Sequence, residues 1–177
     1  MRTILIGTSI LAFVAGCPLL DVQVEVSEVC ISYPGNQVEP APAGMTDITS
    51  EIRIDELGKL GALAELDAAL RFVRAEIRAT AGIEGFAFVG GAQVTVASGD
   101  PDAALPTVVA YQCADGGCLP EAAVLALPSD FQQDAVAYLR TGSIVAGLSV
   151  HGTLPTQAWS FDLDLCVEGS ASQVVSP

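Results

Sequence analysis

Cys113-Ala-Asp-Gly-Gly-Cys118 is the first place in this 177-residue chain where closely spaced side chains could do chemistry. A thioredoxin-type dithiol needs two intervening residues and a helix start, whose positive end lowers a thiol pKa. Here the spacing is longer and Pro120 follows. A zinc site needs four ligands, and beyond this pair and Cys17 only Cys30, Cys166 and His151 offer soft ligand atoms. The Asp-Gly-Gly turn instead brings the two thiols within reach of a structural disulfide.

His151, the single histidine, stands two residues after Ser149 in Gly147-Leu-Ser149-Val-His151. A nucleophile-base pair on a hydrolase elbow needs Gly-x-Ser-x-Gly at a strand-to-helix turn, which this is not. A hydrolase centred on Ser149 and His151 would need a carboxylate beside the imidazole and a cleft beside both; the spacing alone reads as a surface histidine ahead of a turn. For oxygen-ligated cations, Asp100 and Asp102 in the turn Gly99-Asp-Pro-Asp102 are the best candidates, yet no Asp-x-[Asp/Asn]-x-[Asp/Asn]-Gly run accompanies them. Asp162 and Asp164 read as the solvated face of an alternating strand. Trp159, Tyr111 and Tyr138 are the aromatics available for a sugar-stacking platform, and Trp159 lies on the core phase of its strand. Gly90-Gly91 is not followed by the Gly-Lys-Ser/Thr that a phosphate loop requires. The chain therefore reads as a non-enzyme, with no cofactor and no metal assigned.

Near the start, Arg2, the apolar run Ile4 to Val14, and Val14-Ala15-Gly16-Cys17 together form a recognisable segment. It resembles the lipobox that closes the signal peptide of a bacterial lipoprotein. The resemblance covers the first 17 residues only. It implies cleavage before Cys17, diacylation of its thiol and acylation of its new amine, so that lipid tethers the mature chain to the cell envelope. With Pro18 and Leu19 following, and no Asp, it further implies outer-membrane sorting. The apolar run stops well short of the about 20 residues a membrane-spanning helix needs. This reading gives residues 1–16 as signal, 17–19 as the anchored N-terminus, 20–168 as one domain and 169–177 as a flexible tail.

The formal charge of −14 repels phosphate backbones and excludes nucleic acid as a natural partner. It repels anionic lipid headgroups as well, so contact with a membrane would run through the acyl chains. The plain consequence of such acidity is solubility. Any partner beyond the membrane would be an envelope protein that the sequence does not identify.

With Cys17 lipidated, Cys30, Cys113, Cys118 and Cys166 form an even set in an oxidising compartment, where disulfides are the default. Four cysteines allow three connectivities. A local Cys113–Cys118 bridge leaves Cys30 with Cys166. In Trp159-Ser-Phe161-Asp-Leu163-Asp-Leu165-Cys166, apolar and polar residues alternate, which turns Cys166 outward with Asp162 and Asp164. Val22, Val24 and Val26 share one phase, and Val29, Ile31 and Tyr33 the other. A bulge at Ser27-Glu28 would keep all six on the core side and turn Cys30 outward.

These groups need elements to hold them. With 51% hydrophobic and only 6% aromatic residues, the core must be built from Val, Leu, Ile and Ala. Residues 36–46 read as a loop with Pro40, Pro42 and Gly44. Leu57, Leu60, Leu63, Leu66 and Leu70 recur at helical spacing and predict a helix from about Asp55 to Ala69, with a strand from about Leu70. Phe86 to Ser98 reads as strand interrupted at Gly90-Gly91, and Leu105 to Gln112 as the next. Ser129 with Gln132 predicts a capped helix over Asp130 to Arg140. Ser143 to His151 and Ala158 to Val167 read as a closing hairpin or an adjacent strand pair, and residues from Gly169 onward as a frayed end. About eight strands with one or two short helices in connections predict an all-β fold: a single β-sandwich, immunoglobulin-like or a related Greek key. The expected role is a non-catalytic, lipid-anchored structural or protein-interaction module of the envelope. Ligand binding, of carbohydrate, calcium or a small apolar molecule, is the alternative.

Overall fold

The computed structural model describes residues 20–57, 60–62, 67–114, 116–118, 123–129 and 134–175. The alternating Val-, Ile- and Leu-rich runs become eight strands: β1 (Leu20–Val38), β2 (Asp47–Ile54), β3 (Asp67–Ala81), β4 (Val89–Ser98), β5 (Val108–Cys113), β6 (Val124–Pro128), β7 (Ile144–Gly152) and β8 (Trp159–Val175). Each pairs antiparallel with the strand that mirrors it in the chain: β1 with β8, β2 with β7, β3 with β6, and β4 with β5. Further pairings of β3 with β8 and β4 with β7 join these ribbons into two sheets. Their strand orders are β1-β8-β3-β6 and β2-β7-β4-β5. That is a β-sandwich, and its order is the double Greek key called a jelly roll, the related Greek key and not the immunoglobulin arrangement.

The sandwich forms because each inner face is a two-residue repeat of aliphatic side chains. Phe161, Leu163, Leu165 and Val167 of β8 are buried, and so are Ile144, Ala146, Leu148 and Val150 of β7 in the opposite sheet. Trp159 packs edge-on to Phe86 and Phe88 at one end of the core. Tyr111 and Phe72 meet edge to face between the sheets. Tyr111 and Tyr138 are fully buried and Trp159 nearly so, so none of the three forms a sugar-stacking platform.

Cys166 is where the most constraints meet. It lies directly opposite Cys30 of β1 on one side and Arg74 of β3 on the other. Its sulfur is bonded to that of Cys30, with a Cα–Cα distance of 4.0 Å. Such close approach belongs to directly opposed residues of antiparallel strands. Its carbonyl accepts a hydrogen bond of 3.1 Å from the Tyr111 hydroxyl, which crosses the core from the other sheet. Burial keeps that phenol protonated. Strand alternation turns Cys166 to the outer face, as expected, but it is not solvent-exposed: its accessibility is 0%. Arg74 on β3 pairs with Glu28 on β1; β8 runs between these strands, so the ion pair roofs the Cys166 side of the disulfide, while Cys30 is exposed. The register shift between Val26 and Val29 is the bulge at Ser27-Glu28 that sets Glu28 in place.

Several elements differ from their sequence reading. The strand expected from Leu70 begins at Asp67, and helix is found only at residues 60–62 within the described part of 55–69. Strand pairing with β8 outcompetes the leucine stripe over Asp67 to Ala69; Leu63 and Leu66 lie outside the described residues. Of the helix over Asp130 to Arg140, residues 130–133 lie outside them too, and the helical turn is Val136–Leu139 alone, its first N–H accepted by Asp134 Oδ1 at 2.9 Å. Ser129 instead donates its backbone N–H to Val73, extending the sheet. The two last strands do not form a hairpin, since β7 and β8 belong to different sheets. Residues 169–175 are not a free tail: they continue β8 between Leu20–Val26 and Asp67–Leu70. Gly169, where the sequence reads as the start of a frayed end, is required there, because a Cβ would lie 1.9 Å from the Ala69 carbonyl oxygen.

Two outcomes test the clamp at Cys166. Replacing both Cys30 and Cys166 by Ser releases a loop of sequence separation 136, and chain entropy puts the loss at about 5 kcal/mol, against about 2 kcal/mol for Cys113 and Cys118; urea midpoints of the two double variants measure the difference. Arg74→Ala removes the roof and ion pairs that lie on an outer face and are at most partly buried, so its stability changes by less than about 1 kcal/mol. Reduction of Cys30–Cys166 by dithiothreitol, followed by thiol labelling, becomes faster in that variant.

Candidate functional site

The two outer faces of the sandwich differ in chemistry. On β1-β8-β3-β6, charged side chains form a mesh: Arg71 pairs with Glu168, Arg74 with Glu28 and Glu76, and Arg78 with Glu76 at 3.6 Å. Asp162, on the same face, accepts the backbone N–H of Gly35 at 2.8 Å, which fixes the second bulge of β1. On β2-β7-β4-β5 the register places Thr49 opposite Ser149, Ser149 opposite Gln93, and Gln93 opposite Gln112. One row of neutral hydroxyls and amides thus crosses all four strands. The Thr49 and Ser149 hydroxyls lie 3.5 Å apart.

A groove of about 470 Å³ runs over this row, lined by residues of all four strands. Gly147 sits one step along β7 from Ser149 on the same face. A Cβ there would come within 2.5 Å of the Thr95 hydroxyl, which donates to the Gly147 carbonyl at 3.2 Å. A small residue at this position is therefore a packing requirement that also keeps the face shallow. At the far end the Cys113–Cys118 disulfide, with Cα atoms 5.1 Å apart, folds the β5–β6 connection back. The Gly116 N–H donates to the Gly90 carbonyl of β4 at 2.9 Å. The short disulfide thus shapes the end of the groove.

His151 stands at the rim, paired through Nδ1 with Asp47 Oδ1 at 2.9 Å. The other carboxylate oxygen accepts the Thr46 hydroxyl at 2.7 Å. The hydrogen bond from Thr46, followed by that from His151, holds the Asp47 carboxyl below its usual value. Asp47 is the residue the sequence reading missed. Its only signal was a position at the start of β2, and its partner lies 104 residues away.

A carboxylate and a groove now stand beside His151, yet the triad geometry does not follow. The imidazole lies across the strands, with Nδ1 on Asp47 of β2 and its Cδ2 edge over Gly90 of β4. Ser149 is turned to Thr49. β7 is an inner strand whose N–H groups serve its ladders with β2 and β4, which leaves no donor pair beside Ser149 for an oxyanion.

The other sequence candidates are placed as follows. The structure brings together Cys30 with Cys166 and Cys113 with Cys118. Asp100 uses its carboxylate within its own turn, accepting the Asp102 N–H at 2.9 Å. Among the described residues the one trio of Cys, His, Asp or Glu ligands within 4.8 Å is Glu28, Cys30 and Cys166, and its two sulfurs are bonded to each other. Cys17 lies outside the described residues. No helix among the described residues is long and apolar enough to cross a membrane.

No known protein family and no curated protein matches the sequence. Among solved structures, the chain is similar to that of the giant freshwater prawn Macrobrachium rosenbergii nodavirus particle, at 10% identity over 100% of this chain and 97% of that one, with a TM-score of 0.32. It is also similar to that of Cocksfoot mottle virus, at 14% identity over 100% and 96%, with a TM-score of 0.33. Likeness this slight says nothing of function.

The Asp47 pair yields a pH test. A carboxyl lowered in the folded state stabilises above its unfolded value of about 3.9, and that contribution is lost as pH falls through the folded value. Carboxyl-carbon NMR titration reads it directly. Thr46→Val raises the Asp47 pKa, His151→Gln raises it less, and an Asp47 titration unmoved by either contradicts the assignment.

Proposed function

We propose that the chain is a non-catalytic, lipid-anchored binding module of the bacterial cell envelope, which meets its partner through the outer face of β2-β7-β4-β5. The contrast between the two faces carries this reading. In a protein of net charge −14, one outer face is crossed by its own Arg-carboxylate pairs, whereas the other keeps its charges, Asp47 with His151, Glu51, and Arg53 with Asp55, along β2 and the rim, and presents a grooved row of neutral hydrogen-bonding groups across all four strands. Ion pairs on an exposed face add little stability, but they leave that face's charges engaged with one another. In the neutral row the Thr49 and Ser149 hydroxyls meet each other at 3.5 Å, and the row carries no formal charge.

Support for the anchor comes from Val14-Ala15-Gly16-Cys17 and from the even set of cysteines left once Cys17 is lipidated. The β1 ladder with β8 already begins at Leu20 and Val175, so the sandwich would ride close to the bilayer, most naturally the outer membrane. Support for a non-catalytic role comes from the crosswise His151 ring and the fully used inner strand beneath Ser149.

Two measurements test the two halves of this reading. Mass spectrometry of membrane-extracted chain is expected to find an N-terminus at Cys17 carrying diacylglyceryl and an amide-linked acyl group; retention of residues 1–16 overturns the anchor. A photoreactive side chain at Thr49 is expected to crosslink envelope components in intact cells, while one at Asp164 does not. Crosslinks from Asp164 alone overturn the assignment of the face.

A further inference from the structure

We infer that the groove on β2-β7-β4-β5 takes a neutral glycan chain, lying across the strands along the row Thr49, Ser149, Gln93 and Gln112. The inference rests on the binding-face reading above and names its occupant. Three observations carry it.

The first is spacing. The four residues occupy one register row on four successive strands, and neighbouring strands are ~4.8 Å apart. That interval is close to the length of one pyranose unit in an extended oligosaccharide. A chain laid across the strands would meet one polar side chain per sugar. A peptide strand, by contrast, would add along a sheet edge, where unpaired backbone groups are; this row lies on the sheet's face.

The second is the kind of hydrogen bonding. Hydroxyls and side-chain amides each both donate and accept, as sugar hydroxyls do. Thr49 and Ser149 supply the first kind, Gln93 and Gln112 the second. Gly147 and Gly91 beside the row keep large side chains off the face, leaving room for a ring to lie flat. Among the described residues no Phe, Tyr or Trp ring lines the groove, so recognition would rest on hydrogen bonds and would be weak for a single chain.

The third is charge. Among the described residues the groove's lining carries one carboxylate, Asp47, and that is paired with His151; Glu51 stands on the same face of β2. A ligand bearing carboxylates or phosphates would be repelled by these and by the net charge of −14. A cationic ligand finds no acid within the neutral row itself. A neutral polyhydroxyl chain meets neither obstacle, and its binding should be insensitive to added salt.

The test uses the full mature chain with Cys17→Ser and a panel of neutral tetrasaccharides: cellotetraose, N-acetylchitotetraose and maltotetraose. Amide and side-chain NMR shifts are followed to millimolar sugar. At least one sugar is expected to shift Thr49, Ser149, Gln93 and Gln112 together, with an affinity unchanged by salt. Gln93→Ala weakens that binding about tenfold, the effect of losing one good hydrogen bond, while Asp164→Asn on the other face leaves it unchanged. Intact disulfides and an unchanged dispersion of the remaining resonances show that the variant is folded. No shift with any of the three sugars, shifts centred elsewhere, or binding abolished by salt overturns the glycan assignment. Thr49 crosslinks to protein alongside a silent sugar panel would overturn this inference and leave the binding-face proposal standing; loss of both signals removes both.

Discussion

Cys166 holds the sandwich in its register. One residue ties β8 covalently to β1, stands in register with β3, and accepts a hydrogen bond from Tyr111 of the opposite sheet. Because the side-chain period of a strand is two, a slip of one residue in β8 would turn its whole apolar set outward. A covalent bond between directly opposed residues forbids that slip. It also joins the first strand to the last, so the closed loop contains almost the whole fold. The Arg74–Glu28 pair that covers the sulfur contributes by excluding solvent and not by its own ion-pair energy.

With the sheet β1-β8-β3-β6 given over to clamp and charge mesh, the opposite sheet keeps its charged side chains along β2 and the rim and leaves one neutral row across its four strands. Two members of the neutral row stand on inner strands whose other face is core: Leu148 and Val150 flank Ser149 in sequence and are buried. Val94 does the same for Gln93. The side chains of the groove are therefore fixed by the same packing that makes the sandwich. The short Cys113–Cys118 loop closes one end, and the His151–Asp47 pair marks the rim. The two disulfides act at different levels, one on the global fold and one on the shape of a single surface.

Much of this was legible in the chain. Strict alternation from Trp159 to Leu165 and the phase change at Ser27-Glu28 each report a period-two backbone, and the bulge follows from the phase change alone. The cysteine pairing was legible because evenness, a turn-rich local loop and the strand phases all agreed. What was not legible came from competition between elements far apart in sequence. The leucine stripe before Leu70 is a good helix pattern locally, but β8 offers Asp67 to Ala69 a ladder partner about a hundred residues away. Gly169 looked like an ending because its reason, the nearby Ala69 carbonyl, lies on another strand. The burial of Cys166 depends on two charged side chains from different strands meeting above it, and Asp47 meets His151 only once β2 pairs with β7. The row of Thr49, Ser149, Gln93 and Gln112 likewise exists only in the register of the assembled sheet.

The central claim is that the two faces divide the labour, one holding the fold and the other binding. Hydroxyl-radical footprinting of the anchored chain, in native envelopes and again after extraction into detergent, examines that division most directly. The account predicts protection in envelopes at Gln93, Gln112 and His151, with Arg78, Asp162 and Asp164 equally reactive in both settings. Protection confined to Arg78, Asp162 and Asp164, or identical footprints in the two settings, would contradict it.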